Sequence, residues 1–446
     1  MFIWGTFALG VYVLQPQTLP SVPTPVPTAV PIKDSLADMS LAGSGQPVRD
    51  PTSAVIAQPD PKIAALLQEV STQSLMAYVI KLESFSTRNS FSLTERDDFG
   101  IGAARRWLMS EFERVGGGRL QVEAQEFTFN FLGIEAQAQN IIATLPGTGP
   151  SPEIILMVAH YDTSLEDPTD GFNPMPGADD NASSLAAFLE IARLMSVHSW
   201  NHTIIFVATT AEEQGNYGSS YFVRQALLND WPIRAVLNND MIGGRVGIPP
   251  SVRIFSQGPD TSPHRQLARY IDFVGGLYLP TFPTTLMSTM EREGRWGDHV
   301  PFAQAGFPAV RLMESEEDMS IQSSSRDVWT LVDFTYLQRM TQLNLSVIAS
   351  LAGGLPQLSL PLIRSTGEVG SYRLDWTPVP GAAAYAISFR PLGSVRYEPF
   401  RYVAAAQAGS VILTGLNSPQ GYGVSMTVLD ENGRLGAFTP EVLVVP

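Results

Sequence analysis

The chain has 446 residues, 44% of them hydrophobic and 16% charged, enough apolar side chains to bury a large core in two or three units and too many for global disorder. A net charge of −15 argues against nucleic acid as a partner, because phosphate binding needs a basic face. With no cysteine there is no disulfide, no thiolate metal site and no cysteine nucleophile.

Residues 2–14 are apolar (FIWGTFALGVYVL) but shorter than a membrane-spanning helix, and the first basic residue is Lys33. Residues 1–15 are therefore expected to be an atypical export signal or membrane anchor, with an apolar tail as the plainer alternative. Residues 16–61 are rich in Pro, Ser, Thr and Ala, a composition that buries little apolar surface and reads as an extended tether. Apolar spacing predicts helices over 74–82 and 102–115. Strands are expected at 120–129, 135–145, 153–158, 203–209, 235–239, 252–255 and 309–313. Helical stretches fall at 184–195 and 218–228, and an amphipathic helix at 334–351 closes the domain. This alternation predicts an α/β fold, a three-layer sandwich around a mixed, largely parallel sheet, over residues 62–354. Residues 355–446 carry about seven short alternating runs broken by Gly, Pro, Asn and Ser, which predicts a C-terminal all-β sandwich.

Five segments place polar groups where apolar strands end, the region in which open α/β sheets bind ligands. ILMVAHYD brings His160 and Asp162, an imidazole with a carboxylate two residues on that can orient it. PGADDNASS clusters Asp179, Asp180 and Asn181 before a helix; capping accounts for one of them, and adjacent carboxylates repel unless a cation offsets them. TIIFVATTAEEQG ends on Glu212 and Glu213, a pair in which one can bind metal and the other take a proton. AVLNNDMIGG supplies Asp240, and GRWGDHVPFAQAGFPAV supplies Asp298 and His299. Taken one at a time, each segment also reads as a strand-end cap or a solvated loop.

In this order and on this strand pattern, the segments resemble the zinc aminopeptidases of peptidase family M twenty-eight, over roughly residues 73–351 and including the lead-in LESFSTRNS and the helix GAARRWL. The resemblance implies that His160, Asp180 and Asp240 hold one zinc, with Asp180 bridging to a second and Glu213 ligating it. It implies Glu212 as general base, Asp162 as the partner that orients His160, and Asp298 and His299 near the pocket. The family's last ligand, a histidine in an HT-x-x-D pattern, falls on Ser323 in QSSSRDVWTLVDF, and a serine hydroxyl is a poor zinc ligand. Water, Glu314, Asp318 or a displaced His299 are the candidates to fill that gap; otherwise the enzyme runs with one metal or not at all.

The expected function is a zinc-dependent aminopeptidase, with one or two ions, acting on peptide or protein substrates, monomeric, and outside the cytoplasm or anchored there through its N-terminus. The alternative is a metal-depleted, inactive homologue acting as a surface binding protein. A glutaminyl cyclase is disfavoured because that branch keeps the late histidine, and a serine hydrolase because no G-x-S-x-G elbow occurs. The residues from Leu374 to Tyr422 resemble a fibronectin type III domain, in the Leu374-Asp375-Trp376 start, the Pro380-Gly381 turn, the Ala384-Tyr385 strand and the Leu416 before Gly421-Tyr422.

Overall fold

The computed structural model describes residues 47–150 and 152–445. The apolar start and most of the Pro-rich segment lie outside the described residues. The rest of that segment, 47–60, does not run as a free tether. Its strand β1 (Val48–Arg49) pairs in parallel with Val411 and Ile412, and Asp50 accepts from the backbone and hydroxyl of Thr414. Helix α1 (Pro61–Gln68) follows, capped by the Asp60 side chain with Pro61 in the first turn.

The elements then run α2 (Thr72–Glu83), α3 (Gly100–Gly116), β2 (Gln121–Phe131), β3 (Ile134–Leu145), β4 (Ile154–His160), α4 (Ser183–Ser196), β5 (Thr203–Thr209), α5 (Tyr217–Leu228), β6 (Ile233–Asn239), β7 (Val252–Phe255), α6 (Pro263–Tyr278), β8 (Thr284–Met287), α7 (His299–Gln304), β9 (Ala309–Glu314) and α8 (Phe334–Gly353). Eight strands form one sheet in the order β2-β3-β5-β4-β6-β9-β7-β8. The steps β5-β4, β4-β6, β6-β9 and β7-β8 are parallel, and the other three are antiparallel. Alternate residues of one strand face opposite cores: Ile155, Met157 and Ala159 join the helices α1–α4, α6 and α8, while Leu156 and Val158 meet α5 and α7. A strand buried on both faces must be apolar throughout, which is why ILMVA shows no alternation.

The closing helix differs from its expected amphipathic form. From Met340 to Gly353, α8 has no exposed face, because α1, α2, α4 and α6 pack around it. Its polar side chains are satisfied inside, as when Gln342 donates to Leu67 O and Asn344 pairs with Asn239.

Seven strands follow: β10 (Leu362–Ser365), β11 (Tyr372–Asp375), β12 (Ala384–Pro391), β13 (Arg401–Ala404), β14 (Ser410–Leu413), β15 (Tyr422–Leu429) and β16 (Val442–Val444). They make two sheets, β1-β14-β11-β10 and β13-β12-β15-β16, around a core of Leu374, Trp376, Tyr385, Ile387, Val411, Val424 and Met426. The other face of β12 carries Ala384, Ala386, Ser388 and Arg390, all buried, because this sheet packs on the α/β part rather than facing water. At that junction Gln266 and Tyr270 of α6 donate to Thr439 O and Leu435 O. A charge cluster seals it: Glu441 pairs with Arg390 at 2.7 Å and with Arg269 of α6 at 3.4 Å, and all three side chains are 0% exposed.

Candidate metal centre

Parallel register brings the site together. His160 ends β4 opposite Thr209 of β5, and Val158 of β4 lies opposite Asn238 of β6. Glu212 and Glu213 leave the end of β5, and Asp240 leaves the end of β6, so all four groups meet at one edge. Two left-handed, non-glycine residues turn the chain there, Ala211 at φ 55° and Met241 at φ 58°. Such conformations cost on the order of 1–3 kcal/mol each and persist only where surrounding contacts enforce them.

Asp180 comes from the irregular turn Ala178–Ala182 that opens α4. Its neighbours do different work. Asp179 accepts from Gly243 N, and Asn181 spans Asn239 O and Met241 N, tying this turn to the exit of β6. A β-carbon at Gly243 would lie 2.7 Å from the Asp179 carboxylate and would displace it from its bond to Gly243 N. Asp327 accepts from the amides of both Asp179 and Asp180. The fully buried Arg88, from the lead-in segment, donates to Tyr161 O, Pro176 O and Gly177 O and so braces the exits of β4 and the turn together.

His160 Nε2 lies 3.2 Å from Asp180 Oδ1 and 3.6 Å from Asp240 Oδ1. Ligand atoms of His160, Asp180 and Glu213 fall within 4.8 Å of one another, as do those of His160, Glu212 and Asp240. The donor set fits a zinc ion, whose neighbouring ligand atoms stand about 3.3 Å apart when bond lengths are near 2.0–2.1 Å. Asp180 Oδ1 and Glu213 Oε1 are buried without a hydrogen-bond partner, a costly state that a cation relieves.

Asp162 lies against His160, where the resemblance puts it, and has a further contact. The contact to His160 Nδ1 comes from its backbone oxygen at 3.1 Å, with the carboxylate 3.8 Å away. The carboxylate accepts from the amides of Glu212 and Glu213 at 3.3 and 3.2 Å, fixing the turn that presents both glutamates.

His299 is corrected as a substitute ligand. It is fully buried, its Nε2 donates to Met290 O at 2.7 Å, and burial pulls it down to about 4, so it stays neutral and bound to the loop above. Glu314 sits in a separate cleft with Asp179, Arg245 and Asp327, and the Asp318 carboxylate caps Ser320 N, so neither fills the gap. Asp298 accepts from Thr209 Oγ1, and its Oδ1 is buried without a partner. Ser323 adopts a left-handed φ of 49°.

Two groups escaped the sequence reading. Arg311 of β9 is 1% exposed and contacts Asp240 Oδ2 at 3.1 Å and Glu291 Oε2 at 2.5 Å. Asp240 therefore keeps Oδ1 toward His160, while its other oxygen is held by a guanidinium. Arg311→Lys keeps the charge but cannot span both carboxylates. It is expected to weaken zinc binding about 10-fold in chelator competition, in the range usual for groups that orient metal ligands. The second group is Gln322, whose Nε2 reaches 3.5 Å from Asp180 Oδ2.

Without a cation the cluster retains protons. Burial opposes a charged His160, but Glu212, Asp180 and Asp240 outweigh it and raise its pKa well above the usual value. Burial raises Glu212 and Glu213, reinforced by Asp240 near the first and Asp180 near the second. In the adjoining cleft, burial pushes Glu314 up to about 7 and Asp327 up to about 6. Carboxyls raised in the fold contribute stability below their unfolded pKa, and that contribution is lost as pH rises through the folded value. Metal binding, in turn, needs these groups deprotonated. Melting scans at pH 5, 6 and 7.5 should therefore show the gap between chelated and zinc-loaded protein widening as pH rises.

The model of peptidase family M28 matches residues 140–348, which span every member of this cluster. A protein of Pyricularia oryzae, "Probable zinc metalloprotease", is 30% identical over 448 residues, covering 89% of this chain and 89% of the relative. The chain belongs to peptidase family M28. A second such relative of the M28 chain, from Leptosphaeria maculans, is 31% identical over 339 residues, 67% of this chain and 79% of that protein. The fold is shared with the LapA aminopeptidase of Legionella pneumophila, at a TM-score of 0.56 and 21% identity over 68% of this chain and 78% of that one. It is shared too with BSAP, a zinc aminopeptidase from Bacillus subtilis, at 0.51 and 15% over 63% and 94%. The M28 chain is thus a zinc metallopeptidase with a mixed α/β catalytic fold.

Proposed function

We propose that the chain is an aminopeptidase that removes N-terminal residues from peptides, with Glu212 as general base. The observation that carries this is the placement of Glu212: its carboxylate shares a cluster with His160 and Asp240, while its amide is pinned by Asp162. His160, Asp180 and Asp240 would hold a zinc ion, which would supply the Lewis acidity that activates water and a carbonyl for hydrolysis. Glu212 takes the proton of the attacking water and hands it to the leaving amine. Asp162 keeps Glu212 in place through its backbone, and Arg311 keeps Asp240 turned toward His160. The aminopeptidase neighbours support exopeptidase action. On aminoacyl chromogenic substrates, turnover should fall at least about 100-fold when the α-amine is acetylated, the cost of an unpaired recognition group. Equal cleavage of blocked and free substrates would overturn the exopeptidase reading; absence of both zinc and turnover would favour the surface binding protein.

The module at 355–446 is read as fibronectin type III-like, following a catalytic domain at 62–354. Strands β10-β11-β14 facing β13-β12-β15-β16 support this, as does Tyr422, at the start of β15, whose hydroxyl accepts from Ser418 N at 2.8 Å in the manner of a tyrosine corner. An extracellular or membrane-anchored location is supported by the apolar and Pro-rich start; among the described residues no single helix is long and apolar enough to cross a membrane. Fractionation of cells expressing the full chain tests it.

A further inference from the structure

The two halves of the metal cluster differ in chemistry. His160 stands within reach of both groups, with Glu212 and Asp240 on one side and with Asp180 and Glu213 on the other, but its one inward nitrogen, Nε2, can serve a single ion, and the first, zinc-binding position takes it. The other position is then left with Asp180 and Glu213, whose Oδ1 and Oε1 are buried without hydrogen-bond partners and which each bring a carboxylate oxygen within 4.8 Å of the other's. Unpaired carboxylate oxygens at that separation call for a cation between them.

The loop that faces this half is 318–327. Turns hold it at both ends: the amides of Ile321 and Gln322 donate to Asp318 O, and that of Asp327 to Ser324 O. Asp327 in turn holds the backbone of Asp180. The same loop thus fixes Asp180 and delivers a side chain to its carboxylate. That side chain is Gln322. Its Nε2 is 3.5 Å from Asp180 Oδ2, while its Oε1 accepts from Arg295 at 3.3 Å. A half-turn about the last side-chain bond exchanges amide oxygen and nitrogen at almost no steric cost. Arg295 is only partly buried and can turn to water when it loses that bond.

We infer that the second cation position in this chain is an all-oxygen site, formed by Asp180, Glu213 and the side-chain amide oxygen of Gln322, and suited to a hard divalent ion such as Mn²⁺ or Mg²⁺ rather than to tightly held zinc. This rests on the metallopeptidase reading of the cluster and changes the ligand and ion of one half of it. Zinc is bound most strongly where imidazole or thiolate contributes, whereas carboxylate, carbonyl and water suit Mg²⁺ and Mn²⁺. The carbonyl-type oxygen of Gln322 belongs to the second group.

The test is metal stoichiometry on the purified full chain, independent of turnover. Zinc titration should give one tight equivalent, with any second at least about 100-fold weaker. Mn²⁺ added to the one-zinc protein should then bind one further equivalent, read as loss of the free-ion electron paramagnetic resonance signal. Gln322→Ala should lose the Mn²⁺ equivalent and keep the zinc. Ser323→His should make the second equivalent tight for zinc. Two zinc ions of equal affinity in the unaltered chain, or Mn²⁺ binding undiminished in Gln322→Ala, would overturn the inference alone. Failure to bind even the first zinc would instead overturn the metallopeptidase reading beneath it.

Discussion

Glu212→Gln should lower kcat by about 10³-fold, within the 10²–10⁴ range for general acid–base groups, while zinc content stays at the unaltered level. Glutamine keeps the size and the outward course of the side chain but cannot accept a proton. The backbone that presents it is fixed independently, because Asp162 accepts from the amides of residues 212 and 213 rather than from either side chain. The proposed zinc ligands are His160, Asp180 and Asp240, although the Glu212 carboxylate lies in reach of the same ion. Metal analysis beside steady-state kinetics separates the outcomes. Lost zinc would make Glu212 a ligand, and turnover within about ten-fold of the unaltered enzyme would remove it from the base role altogether.

The second large effect is expected far from the site, where the β-module meets α6. Arg390→Met should lower stability by about 3–5 kcal/mol, the cost of removing one partner from a buried ion pair. Arg390 holds Glu441 through two nitrogens, Nε at 2.9 Å and Nη2 at 2.7 Å, and also binds Asp260 of the catalytic part. Its removal leaves Glu441, 0% exposed, with only the 3.4 Å contact to Arg269. A double replacement, Arg390→Met with Glu441→Leu, should recover much of the loss, since no unpaired charge then remains inside. Urea unfolding followed by tryptophan fluorescence measures both. A change below about 1 kcal/mol in Arg390→Met would mean that the junction opens to water and the two parts are joined loosely.

The packing at this junction is not announced by the module's sequence. Its alternating runs announce a sandwich, but the polar positions of β12, Ser388 and Arg390, look solvent-facing until α6 is laid against them. The tether reading of residues 47–60 has the same cause. Proline and serine at 47–60 signal poor core formation, yet two residues of strand pairing and the Asp50–Thr414 contacts hold the segment on β14, contacts between positions 364 residues apart. Local composition carries no trace of such partners.

The layered α/β architecture was legible because burial on both sheet faces forces continuous apolar strands, and a 3.6-residue period marks the helices between them. His160, Asp180, Glu212, Glu213 and Asp240 were legible as candidates because acidic groups at the ends of such strands are chemically conspicuous. The sequence by itself therefore determined the catalytic fold class, the seven-stranded tail and the residues that meet at the sheet edge. Tertiary structure decided how they divide their work. It turned the Asp162 carboxylate to the glutamate turn, locked His299 to Met290 O, set Arg311 behind Asp240, and brought Gln322 to Asp180. Each depends on which way a side chain points after chains distant in sequence have packed, and hydrophobic periodicity, which records burial alone, does not encode that direction.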